Sequence, residues 1–211
     1  MKKMRVFAIA MIAVLTTTSV YAQGFTAKAD VVSSYVWRGT KYAGVSVQPS
    51  VTYSNGGFSV GAWGSTDLAG TFLESDLFMT YAFDFGLTVG VTDYYYPGSS
   101  YFAGASHGLE ANLAYTTGSL SLAANYIPFA GAGTIGNDLY FEAGYAFKSF
   151  SIFAGAGNGW HTAGNGFNIC NVGIKSTKEI KITETFSLPL TGSVILNPDR
   201  KEFYIVAGIS L

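Results

Sequence analysis

Apolar and polar residues alternate along most of this chain, and the alternation restarts after about a dozen residues. Leu109, Ala111, Leu113 and Tyr115 are apolar, while Glu110 and Asn112 between them are polar. Leu139, Phe141, Ala143, Tyr145 and Phe147 repeat the pattern, with Glu142 on the second face. Successive strand side chains point to opposite faces, so such segments have one apolar and one polar side. Clusters of Gly, Asn, Asp and Ser punctuate them. The pattern predicts strands over 25–37, 46–53, 58–65, 72–83, 87–95, 107–115, 120–127, 138–147 and 150–156. A long strand beginning near 167 then turns at 183–185 into strands over 186–196 and 202–211. That makes twelve, an even number, as single-chain bacterial barrels require. The turn at 183–185 decides the count; splitting or merging there gives ten or fourteen.

A soluble sandwich alternates in the same way, so the period does not identify the solvent. The leader, the loops and the aromatic residues do. Met1-Lys2-Lys3-Met4-Arg5 is a basic start, Val6 to Leu15 is apolar, and Val20-Tyr21-Ala22 offers small residues for cleavage. This reads as a secretory signal peptide over 1–22, leaving a single domain at 23–211. Its apolar run is far shorter than the roughly 20 residues a helical membrane span needs. Connections near 55, 85, 117, 148 and 184 are short, whereas those between them are mostly longer and rich in Gly, Asn and Ser. Short turns at one end and longer loops at the other are the barrel asymmetry. Tyr53, Phe58, Tyr81, Phe83, Tyr115, Phe147 and Phe150 stand beside the short turns. Tyr35, Trp37, Tyr95, Tyr126, Phe129 and Phe167 stand near the long loops. Two aromatic bands around an aliphatic middle match the girdles of a membrane barrel. The expected fold is an all-β, antiparallel transmembrane barrel of twelve strands in a bacterial outer membrane.

Composition agrees. The chain is 49% hydrophobic and only 12% charged. Removing the leader takes Lys2, Lys3 and Arg5 from 12 basic residues, leaving 9 against 13 acidic ones and a net charge near −4. That balance argues against a nucleic-acid partner, which needs a clustered basic face. The lone Cys170 excludes an intrachain disulfide, and it is expected to share a face with Val172 and Ile174.

Placing the apolar face outward sends the charges inward. Arg38 ends an upward strand, and Glu74, Asp76, Glu110 and Asp138 begin downward ones, which predicts a charge cluster at the outer mouth. Glu142 lies deeper, Trp63 is an expected lumenal aromatic, and inward Tyr94, Tyr140 and Phe153 narrow the passage. Arg38 is the expected gate residue, its planar fork clamping Glu74 or Asp76. No Gly-x-Ser-x-Gly elbow is present, and His107 and His161, the two histidines, are expected at the rim or in loops. An enzyme is therefore not expected, nor a metal, since no Cys/His cluster has ligand spacing. No cofactor pattern is present either: Gly155-Ala156-Gly157-Asn158-Gly159 lacks the Lys-Ser/Thr of a phosphate cradle.

Ser34-Tyr35-Val36-Trp37-Arg38-Gly39, Gln48-Pro49, Gly61-Ala62-Trp63-Gly64-Ser65, Glu74-Ser75-Asp76 and Tyr96-Pro97-Gly98 follow one another in this order. The series resembles the Gcw-type family of bacterial outer-membrane proteins, whose members are described as candidate porins. The resemblance implies location and fold, and points to passive diffusion of small hydrophilic solutes or ions. The expected partners are outer-membrane lipid and those solutes. The rival readings are a non-conducting structural or adhesive barrel and, behind it, an outer-membrane hydrolase.

Overall fold

The computed structural model describes residues 24–184 and 186–211. The expected signal peptide lies outside them. Strand β1 (Gly24–Val32) leads into a short hairpin of β2 (Tyr35–Trp37) and β3 (Thr40–Ala43). Long strands β4 (Ser46–Asn55), β5 (Phe58–Asp67), β6 (Leu73–Ala82), β7 (Leu87–Tyr95), β8 (His107–Thr117) and β9 (Leu120–Ile127) follow. A second small hairpin, β10 (Ala130–Gly131) with β11 (Thr134–Ile135), precedes β12 (Asp138–Ala146) and β13 (Ser151–Gly159). The chain ends with β14 (Asn165–Lys181), β15 (Ser187–Asn197) and β16 (Glu202–Ser210).

Twelve of these strands, β1, β4 to β9 and β12 to β16, close into one antiparallel barrel. Each pairs with its sequence neighbours, and β1 closes the ring against β16 through Asp30↔Ser210, Val31↔Ile209 and Val32↔Gly208. The seam is short: among the described residues, 24–28 of β1 and 202–206 of β16 have no ladder partner across it. No helix of the described residues is long and apolar enough to cross a membrane.

The alternation governs which side chains point where. In β8, Gly108, Glu110, Asn112 and Ala114 are buried inside, and Leu109, Leu113 and Tyr115 are exposed outside. Phe141 and Ile205 are 44% and 70% exposed on the outer surface, which is apolar around the ring. Phe83, Phe85, Phe147 and Phe150 stand near the short-turn end, and Tyr95, Tyr101, Phe102 and Phe129 near the other.

The strand expected over 25–37 is two elements. β1 stops at Val32, where Ser33 bonds Ala207 through its backbone N–H (2.8 Å) and accepts from the Ala207 N–H at its Oγ (3.0 Å). Residues 33–45 then leave the wall and fold into the lumen. Tyr35, Val36 and Ala43 are buried there, so Tyr35 and Trp37 line the interior and are not part of an aromatic girdle. Alternation lapses at Ser33-Ser34, and Tyr35-Val36-Trp37 is apolar throughout, as a strand buried on both faces also is, so the pattern alone does not mark the departure. Cys170 also departs from expectation. The register slips between β13 and β14, pairing Asn171 with Gly155 and Ile169 with Ala156, and the bulged Cys170 is fully buried.

Candidate functional site

The β2–β3 hairpin turns at Arg38-Gly39, with φ of +48° and +79°. Positive φ at both central residues is the type I′ geometry that matches the twist of a tight hairpin. Gly39 has a second reason to be glycine. A Cβ there would lie 1.9 Å from the Cys170 carbonyl oxygen, so the bulged wall and the hairpin tip meet backbone to backbone. Asn197 of β15 completes the seat by donating from Nδ2 to the Gly39 carbonyl at 2.9 Å.

Arg38 reaches across from this tip. Its Nη1 and Nη2 donate to Oε1 and Oε2 of Glu110 at 2.6 and 3.0 Å, a two-pronged charge-assisted contact. Glu110 on β8 is fully buried and also accepts from Tyr94 Oη (2.9 Å) and Asn112 Nδ2 (2.6 Å). The guanidinium lies between two rings, 4.3 Å from the Trp37 centroid and 4.4 Å from that of Tyr140. Tyr140 fits because its phenol lies over Gly155 of β13, where a Cβ would stand 2.1 Å from the phenol oxygen. Tyr140 donates to Glu142, and Asn171 Nδ2 donates to both at 2.9 Å.

Aromatic rings pack the remaining space around the hairpin. Trp37 lies 5.0 Å from Trp160, 5.5 Å from Tyr94 and 5.5 Å from His161, centroid to centroid. Tyr35 touches Trp63 and Phe72 at 5.6 Å each. Trp160 and His161 belong to the connection after β13, which folds inward onto Trp37. His161 is 2% exposed, with neither ring nitrogen hydrogen-bonded among the described residues. Burial, with Arg38 nearby as the lesser cause, pushes its imidazole down to about 2.

The expected mouth cluster is thus divided. Arg38 pairs with Glu110, not with Glu74 or Asp76, and does so inside the barrel on a hairpin. Asp138 is fully buried as a loop staple: Oδ2 accepts from the Ile135 and Gly136 amides (3.1 and 3.3 Å), and Oδ1 from that of Trp160 (3.2 Å). Glu74 and Asp76 stand together on β6 inside the lumen. Trp63 faces inward beside a cavity of about 170 Å³ that borders the hairpin. His107 does lie near the rim, paired with Asp93 at 2.9 Å, whereas His161 is buried in the lumenal packing. Among the described residues no three His, Cys, Asp or Glu side chains are grouped to hold a metal.

Sequence reasoning missed the seat of the hairpin: Asn112, Asn171, Asn197 and the close approach at Gly39. The available signal was Trp37-Arg38-Gly39-Thr40, a two-residue turn with Gly in second place between segments rich in aromatic residues.

A family model described as "Bacterial protein of unknown function (Gcw_chp)" matches residues 16–175. No curated protein matches the sequence. Among solved structures, one described as "Asymmetric conductivity of engineered proteins" is similar at 14% identity and a TM-score of 0.44, covering 79% of this chain. The chain spans about 55% of that protein's length. A mutant of the Rh. blastica porin is similar at 14% identity and a TM-score of 0.46, over 90% of this chain and 73% of the porin. A triple mutant of the Rhodopseudomonas blastica porin is similar at 15% identity and a TM-score of 0.45, over 85% of this chain and 61% of the porin.

Proposed function

The chain belongs to the Gcw_chp family of bacterial proteins, and from that premise we propose that it is an outer-membrane barrel passing small hydrophilic solutes or ions. In this reading the β2–β3 hairpin is the constriction. The observation that carries it is the Arg38–Glu110 strut, a charged contact seated inside a closed barrel whose outer face is apolar. A water-soluble protein rarely exposes contiguous apolar surface on this scale, whereas a membrane barrel requires it. Asp30, Gln48, Thr92, Lys175, Thr191 and Ser193 border the cavity beside its aromatic and aliphatic walls and supply the polar contacts a hydrated solute needs. Glu74 and Asp76 add carboxylates without an ion-pair partner among the described residues, and where ionised they favour cations over anions. The leader directs export and is removed after Ala22, and no enzymatic step is part of the reading.

Swelling of liposomes carrying the purified protein is the test. Small sugars and amino acids should enter faster than into protein-free liposomes, and salt gradients should give a reversal potential of cation sign. Swelling no faster than the blank, with the barrel folded, would falsify the conduit. The rival is a closed structural barrel, and one observation favours it: the hairpin and the rings of Tyr35, Trp37, Tyr94, Tyr140 and Trp160 occupy much of the lumen.

A further inference from the structure

Glu74 and Asp76 sit two residues apart on the inward face of β6 and are 2% and 6% exposed. Tyr35 and Tyr96 reach the Glu74 carboxylate with their hydroxyls, yet Glu74 Oε2 and Asp76 Oδ1 have no hydrogen-bond partner among the described residues. Neither carboxylate forms an ion pair there either. Arg38 is taken by Glu110, and Lys175, on β14, has Asp30 and Glu142 as its charged neighbours. Two adjacent carboxylates removed from water without a countercharge are relieved by a proton or by a bound cation, and a cation that enters beside them competes with the proton.

The surroundings say what kind. Asp76 lines the cavity of about 170 Å³ with Tyr35, Trp37, Trp63 and Tyr94, and Lys175 borders the same cavity with its neighbour Asp30. Trp63 is the cross-strand partner of Asp76 on β5, so a ring flanks the carboxylate directly. A hard metal ion wants six or more oxygens, and no group of three acidic, His or Cys ligands is present among the described residues. Carboxylate beside aromatic faces is instead the recognition chemistry of an ammonium group, whose charge is drawn to ring faces as well as to oxygen. We propose that Asp76, backed by Glu74 and walled by Trp63, Tyr94 and Tyr35, is a binding subsite for a small alkylammonium cation within the barrel. This goes beyond passive diffusion, since it requires saturable binding, and it holds whether or not the lumen conducts.

Calorimetric titration of the detergent-folded full chain with tetramethylammonium chloride is the test, with ionic strength held constant by sodium chloride. Saturable binding is expected, weakened at least about tenfold by Asp76→Asn and by Trp63→Leu, as loss of the ionic attraction or of the cation–π contact implies. If Asp76→Asn does not fold, Trp63→Leu decides. Absence of saturable heat, unchanged affinity in a folded variant, or equal competition by sodium or calcium overturns the proposal. Because binding is read at equilibrium without a bilayer, its failure and a failure of liposome swelling remain separate results.

Discussion

Replacing Arg38 by Ala should release the hairpin from its seat while leaving the barrel wall intact. The wall's strand ladder does not include Arg38; its contacts are the two bonds to Glu110 and the rings of Trp37 and Tyr140. Removing one partner of a buried ion pair costs about 3–5 kcal/mol, because the other charge stays behind unpaired. Glu110 keeps Tyr94 and Asn112 as donors, which favours the lower end of that range. At about 1.4 kcal/mol per factor of ten, 3 kcal/mol raises the unseated fraction more than about 100-fold. Hydrogen exchange read by mass spectrometry on peptides covering 33–45 is the assay, since protection of those amides reports seating. Exchange should accelerate by about that factor in Arg38→Ala, with β8 and β9 peptides unchanged. The double substitution Arg38→Met with Glu110→Leu should recover much of the protection, because it leaves no uncompensated charge. Unchanged protection in a folded Arg38→Ala protein would show that the ion pair does not hold the hairpin.

Gly39→Ala should unseat the hairpin as strongly, given the positive φ and the 1.9 Å approach to Cys170; conductance equal to the parent's would count against it. Leu113→Arg places a charge on the outer face and should cost roughly 2–4 kcal/mol in bilayers, seen as a lower urea midpoint; an unshifted midpoint means Leu113 does not face lipid. His161 is pushed down to about 2, chiefly by burial, so the folded protein resists its protonation. The unfolded chain takes up that proton near pH 6.5, so the contribution is full above 6.5 and falls as pH drops through the window toward 2, by about 2 kcal/mol at pH 5. Melting curves from pH 7.5 to 5 should show this fall, and His161→Phe should flatten it; an equal slope in both removes the assignment. Intact mass of the exported protein should begin at Gln23, and retention of residues 1–22 would contradict the leader reading.

Most of the wall was legible in the sequence because its physics is local. Strands over 87–95 and 120–127 were predicted at the bounds of β7 and β9, where period-two alternation meets Gly-containing turns. Inward Trp63, Tyr94, Glu110 and Glu142 followed from the same parity. What the pattern cannot carry is where a strand leaves the wall. Tyr35-Val36-Trp37 reads as the apolar end of a strand, yet β1 ends at Val32 because Ser33 and the turn at Arg38-Gly39 redirect the chain. Arg38 was therefore expected as a lumenal cation, but its carboxylate partner is Glu110 and not Glu74 or Asp76. Its pairing with Glu110 joins residues 72 positions apart through a hairpin that only the closed barrel positions.

Planar-bilayer recording of the parent beside a variant in which a short Gly-Ser linker replaces residues 34–44 tests the constriction most directly. The parent should show small, cation-selective steps, and the shortened protein steps several times larger, as expected when the hairpin and its rings leave a twelve-stranded lumen. Two folded, bilayer-inserted barrels with no steps above background, or with equal steps, would contradict the hairpin as the element that sets the passage.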